Sequence, residues 1–152
     1  MKMLPKFGLI AVTAIAFATP AFAQDRGTAE EAQELLNQAV QHYEEVGREQ
    51  ALQDFNDPQG EFVDRDLYVF CVGPDDMMTA HGGNPDLIGM DVTTLQDAEG
   101  QEIGNRIIEI GRTEGEGTLE YKFENPMTGE VEDKATFIQS VGEEICAVGY
   151  YQ

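Results

Sequence analysis

A chain of 152 residues with 29 acidic and 9 basic side chains, formal charge −20, presents a surface that repels nucleic acid and anionic lipid. Charge of this kind supports solubility more than it names a ligand. Two cysteines without a Cys-x-x-Cys pair, and only two histidines, leave no ordinary zinc set.

The first 23 residues read as a leader. Lys2 and Lys6 give a basic start, an apolar run extends from Phe7 to about Ala18, and Ala21-Phe22-Ala23 is a small-residue cleavage pattern before Gln24. The run is too short and wrongly flanked for a membrane anchor. Its removal leaves a single domain, 24–152, with seven basic residues against 29 acidic ones. No second apolar run is long enough to span a bilayer. The expected product is periplasmic or secreted, not membrane-embedded, and large enough to bury a core without staples.

Thr28 with Glu31 three residues on forms a capping box, and Ala32, Leu35, Leu36, Ala39, Val40 and Tyr43 place one apolar stripe on the helix that follows. That helix is expected to end near Gly47. Ala51, Leu52 and Phe55 then predict a short second helix, which stops at Asp57-Pro58. The run 66–72, "DLYVFCV", is β-branched and aromatic, and Gly73-Pro74-Asp75-Asp76 turns it into a second strand over 77–80. The stretch "HGGNPDLIG" leaves the sheet as a loop. A helix follows with Ile103, Ile107, Ile108 and Ile110 inward, stopping before Gly111. Three strands close the chain: "GTLEYKF", with Leu119, Tyr121 and Phe123 on one face, then "KATFIQSV", then "ICAVGYY".

Cys71 and Cys146 lie 75 positions apart, each in an apolar strand run. In an oxidising compartment they would form one disulfide if the first and last strands are neighbours; two buried thiols are the alternative.

Catalytic signals are sparse. Ser140 is the only serine and lies in a strand without a nucleophile elbow, so a hydrolase of that kind is not indicated and no enzyme is expected. The stretch "DAEGQE" fails as a calcium loop, since counting from Asp97 the sixth and twelfth positions are Glu102 and Ile108. Nothing calls for a cofactor, and no phosphate-cradling glycine motif is present. What remains is a pocket: Tyr68, Tyr121, Lys134 and Tyr150 in strand runs, with His81 entering from a glycine-rich loop. Converging on one sheet face, these donors would suit a small carboxylate. Each also has an ordinary role as a core tyrosine, an edge lysine or a loop histidine.

The stretches "GREQALQDFNDPQGEFVDRDLYVFCVG", "TAHGGNPDLIGMDVTTLQDAEGQ", "GTLEYKFENPMTGEVEDKATFI" and "CAVGYY" resemble single Cache domains, extracytoplasmic sensor modules of bacterial chemoreceptors and histidine kinases. The resemblance implies an α+β, PAS-like five-stranded antiparallel sheet with a long N-terminal helix packed on it. It also implies a pocket on one sheet face for a small organic acid or similar metabolite, often a short-chain carboxylate. His81 would then belong to a lid-like loop over that pocket, with Tyr121 and Lys134 facing it and Tyr68 and Tyr150 beside them. Receptor Cache domains sit between transmembrane helices, whereas this chain begins with a leader and ends at Gln152. The expectation is a free binding domain that presents its ligand to a membrane sensor kinase or chemoreceptor. The alternative is an interaction subunit of such a complex with no ligand of its own.

Overall fold

Thr28 opens the first helix as read: its side chain accepts from the Glu31 N–H at 3.2 Å, and the Glu31 carboxylate accepts from the Thr28 N–H at 2.9 Å. In the computed structural model, residues 26–152 are described, and the leader assigned to 1–23 lies outside them. Helix α1 spans Ala29–Val46 and buries Ala32, Leu35, Leu36, Ala39 and Tyr43. Gly47, at φ 84°, makes the joint to α2, Arg48–Phe55. Among the described residues no helix is long and apolar enough to cross a membrane.

The strands are β1 (Val63–Asp64), β2 (Leu67–Val72), β3 (Met78–His81), β4 (Glu116–Glu124), β5 (Val131–Val141) and β6 (Glu144–Tyr151). All pair antiparallel. The long strands run in the order β2, β6, β5, β4, and the outer edge of β2 is shared by β3 and the two-residue β1. The sheet has six strands where the resemblance implied five, the short β1 contributing two residues; the fold is otherwise the α+β, PAS-like sheet with an N-terminal helix that the resemblance implied.

Every residue of β2 is buried, because both of its faces are covered. Leu67, Val69 and Cys71 point toward α1 and α2, where Phe55, Phe62 and Val148 complete a core. Tyr68, Phe70 and Val72 point the other way, toward Ile107, Ile110 and Ile145. Cys71 and Cys146 are direct cross-strand partners on the helix side and form a disulfide, with Cα atoms 4.1 Å apart. The condition set by the sequence, neighbouring first and last strands, is met.

The crossover helix departs from its reading. Helix α3, Ile103–Glu109, does not stop before Gly111 but continues as a π-helical turn over Ile110–Glu114. Gly111 serves close packing: a Cβ there would lie 2.5 Å from the Ile145 side chain. The stop falls at Gly115, whose φ of 82° an L-residue rarely adopts.

The joint between α1 and α2 is pinned to the sheet by a buried acid. Arg48 Nε donates to Glu144 Oε1 at 2.6 Å, and the Thr79 hydroxyl donates to Glu144 Oε2 at 2.5 Å. Glu144 is thus paired and hydrogen-bonded, as a buried carboxylate has to be.

Candidate functional site

Lys134 occupies the middle of β5 with Tyr121 of β4 opposite it on one side and Tyr151 of β6 on the other. Its side chain crosses over β6 to reach β2, where Nζ donates to the Tyr68 hydroxyl at 2.7 Å. Gly149 makes the crossing possible: a Cβ there would stand 2.3 Å from Lys134 Cε and 2.4 Å from Thr136 Oγ1. The ammonium lies 4.4 Å from the Tyr68 ring centroid, 4.8 Å from Tyr151 and 5.4 Å from Phe123. It is a cation in an aromatic cage.

Lys134 is 1% exposed, and among the described residues no carboxylate stands within ion-pair distance of it. Burial pulls its pKa from the ordinary 10.5 down to about 7, with the charge of Asp66 opposing the shift. The oxygens of Asp66, itself buried, are engaged elsewhere: Oδ1 accepts from the Gly27 N–H at 2.6 Å and Oδ2 from Asn125 Nδ2 at 3.4 Å. The cage is otherwise neutral. Burial raises the Tyr68, Tyr121 and Tyr151 hydroxyls, so all three stay protonated. The Tyr121 hydroxyl lies 2.9 Å from that of Thr136, and the Tyr151 hydroxyl donates to the Glu124 carbonyl at 2.7 Å.

His81 is not carried by a loop. It is the last residue of β3, paired with Phe70, and the loop starts at Gly82. Its backbone N–H donates to Asn56 Oδ1 at 2.9 Å, and its ring lies against Tyr68 with centroids 4.7 Å apart. Burial, reinforced by the charge of Lys134, lowers its pKa to about 3. The imidazole is therefore neutral, and since Nδ1 accepts the Asn84 N–H at 2.9 Å, Nε2 carries the proton and is a donor. The two glycines after it are needed for close approach. A Cβ on Gly83 would meet the Tyr68 ring at 2.7 Å, and one on Gly82 would meet the Val63 side chain at the same distance. Past them the chain makes a 3-10 turn over Pro85–Leu87 and returns along β3, where the Gly89 N–H donates to the Met78 carbonyl at 2.8 Å.

A cleft of about 380 Å³ opens beside this cluster and includes Tyr68, His81, Asn84, Leu87 and Phe123 in its wall. Behind it, a cavity of about 10 Å³ reaches Lys134 and Tyr121 and shares Tyr68, His81, Leu87 and Phe123 with the cleft. Asp97 lines the cleft without adding a free acid to it. Burial alone would raise its pKa, but the Gln101, Glu99 and Lys122 N–H groups outweigh that and hold it below the usual range.

Of the five residues singled out in the sequence, the structure brings Tyr68, His81, Tyr121 and Lys134 together. Tyr150 is not with them. It projects to the helix side and stacks on Phe137, with centroids 5.8 Å apart, because successive side chains of a strand alternate faces. Its neighbour Tyr151 takes the place expected of it. Phe123, Thr136 and Gly149 were missed as well. For Tyr151 and Gly149 the signal lay in parity with Cys146, since residues an odd number of positions from a helix-side cysteine face away from the helix.

Single Cache domain 2 is the family that matches, over residues 10–149. The chain belongs to this family. The Cache match begins within the apolar N-terminal run. Among solved structures the chain is similar to a Cache chemosensory domain studied for carboxylic acid recognition, with TM-score 0.67 and 22% identity over 81% of this chain and 92% of that one. It is also similar to a methyl-accepting chemotaxis protein from Vibrio parahaemolyticus, with TM-score 0.67 and 16% identity over 80% and 86% of the two chains. A third likeness is to the periplasmic sensor domain of a chemotaxis protein, with TM-score 0.61 and 19% identity over 80% and 88%. Comparison with curated proteins gives no match. These structural likenesses establish the Cache fold, and the family places the chain among sensory, ligand-binding domains.

Proposed function

We propose that this Cache domain is an extracytoplasmic receptor for a small organic carboxylate, which it presents to a membrane sensor kinase or chemoreceptor. The observation that carries the reading is Lys134, a buried ammonium whose only hydrogen-bond partner among the described residues is a phenol, with no carboxylate within ion-pair distance. Leaving a buried cation uncompensated is unfavourable, and an anion arriving at the site offsets that penalty.

The donors fit one carboxylate. Tyr68 and His81 line the cleft, and both can donate to an oxygen placed there. Lys134 stands behind Tyr68 and, by donating to its hydroxyl oxygen, strengthens the phenol as a donor toward the cleft. The site lacks a nucleophile held against a base, and its histidine is too weakly basic to serve as one at neutral pH, which favours binding over turnover. The relative studied for carboxylic acid recognition supports the same class.

The test is a thermal-shift and calorimetric panel on protein refolded from denaturant, which strips carried-over ligand. A carboxylate that binds one per chain raises the melting temperature by mass action, while its amide does not. Equal shifts with acid and amide, or none with any acid, would overturn the reading.

A further inference from the structure

The cleft beside the donor cluster is much larger than a two- or three-carbon acid requires. Its volume of about 380 Å³ equals that of roughly a dozen waters at ~30 Å³ each, and lies in the range of sites that enclose whole drug-sized molecules. Tyr68, His81 and Asn84 line it beside the donor cluster, and Gln96, Asp97, Lys122 and Glu124 are also in its wall. The surface that the cleft presents is nonetheless mostly apolar, with Leu87, Ala98, Phe123, Pro126 and Val131 among its lining. The only acid there besides Glu124 is Asp97, whose oxygens are occupied by N–H donors.

A second observation concerns exposure. Of the four large hydrophobic side chains exposed among the described residues, Val131 is in the cleft wall, and Ile88 and Met127 directly follow the wall residues Leu87 and Pro126 in the chain. Scattered exposed hydrophobics are ordinary, but one left open in the wall of a concave site is surface that a ligand with an apolar body can cover.

We propose that the ligand is a carboxylate with an apolar body of aromatic-ring or six-carbon size, its head on Tyr68 and His81 and its body between Leu87, Phe123, Pro126 and Val131. This rests on the carboxylate reading above and narrows it. Acetate and propanoate fill only the part of the cleft beside Tyr68 and His81. Specificity resides in the β4–β5 connection, the start of β5 and the turn after β3, which supply Pro126, Val131 and Leu87, while the β-sheet donors recognise what all such acids share.

The experiment is calorimetry on the refolded protein with acetate, butanoate, hexanoate and phenylacetate, and with neutral phenylacetamide. The expected result is a dissociation constant that falls about fourfold per added methylene, with phenylacetate at least about tenfold tighter than acetate and phenylacetamide not binding. Val131→Asn and Leu87→Asn should each shrink the ratio of phenylacetate to acetate affinity. Val131 lies on the surface, so its variant is expected to fold. Acetate binding as tightly as phenylacetate would overturn this inference and leave the carboxylate reading standing. Failure of every acid, or equal binding of phenylacetamide, would overturn both.

Discussion

The Lys134 ammonium donates to the Tyr68 hydroxyl at 2.7 Å across an intervening strand, and the contact is roofed by aromatic rings, with no acid among the described residues within ion-pair distance. A salt bridge in this position would be a structural device complete in itself. A lysine with only a phenol for a partner leaves its charge available.

Lys134→Met removes that charge while keeping the stem. The folded-state pKa of about 7 lies below the ordinary 10.5, so between these values the unfolded chain holds a proton that the folded chain does not. Stability of the natural protein therefore rises with pH across this window, and below about 7 the burial penalty is felt in full. The variant should melt several degrees higher than the natural protein at pH 6, with the gap closing toward pH 10.5. It should also lose its carboxylate response. Melting curves from pH 6 to 10 check both.

Ligand affinity should carry the same signature. A carboxylate binds the ammonium form, so affinity is level below about pH 7 and falls by up to tenfold per pH unit above it, with a proton taken up on binding. Calorimetry in buffers of different ionisation enthalpy measures that uptake. No proton uptake at pH 8 would place the ligand away from Lys134.

Gly149→Ala tests the crossing of Lys134 over β6. The added Cβ would overlap both Lys134 Cε and Thr136 Oγ1, so the lysine stem must leave its path. A loss of roughly 1–3 kcal/mol in denaturant unfolding, together with loss of carboxylate binding, is expected.

His81→Phe keeps a ring against Tyr68 and removes a titrating group. His81 stays neutral down to about pH 3 when folded and protonates near 6.5 when unfolded, so it draws stability away as pH falls through that interval. The variant should lose less stability than the natural protein between pH 6 and 4, as read by denaturant midpoints at each pH.

Removing the disulfide by replacing Cys71 and Cys146 with alanine frees a loop of 75 residues, and roughly 2–5 kcal/mol of stability should go with it. Reductant should lower the melting temperature of the natural protein and leave the double variant unchanged.

Much of this fold could be read directly from the residues. Thr28 and Glu31 announce the first helix, the alternation of Leu119, Tyr121 and Phe123 announces β4, and the two cysteines, if bridged, make the first and last long strands neighbours. The site was legible only in part, because spacing gives a residue's face and not the distance it reaches. That Lys134 spans β6 depends on the missing side chain of Gly149, and a glycine in a strand reads equally as a weak point or a bulge. Tyr150 is excluded from the site face by strand parity. It lies four positions from Cys146 and so shares its face, whereas Tyr68 lies three positions from Cys71 and cannot. His81 reads as a loop residue because Gly-Gly suggests a loop start one residue too early, whereas these glycines let the chain pass close to Val63 and the Tyr68 ring.

The bond between Cys71 and Cys146 lies beneath α1, out of contact with the cleft, yet it fixes which residues of β2 and β6 stand side by side. A slip of one position between those strands would turn Tyr68 under the helix and leave the lysine reaching toward an aliphatic side chain. The covalent link on one side of the sheet thus acts as an alignment pin for the recognition surface on the other. Where the protein is exported and oxidised, the same step that closes this bond sets its binding geometry.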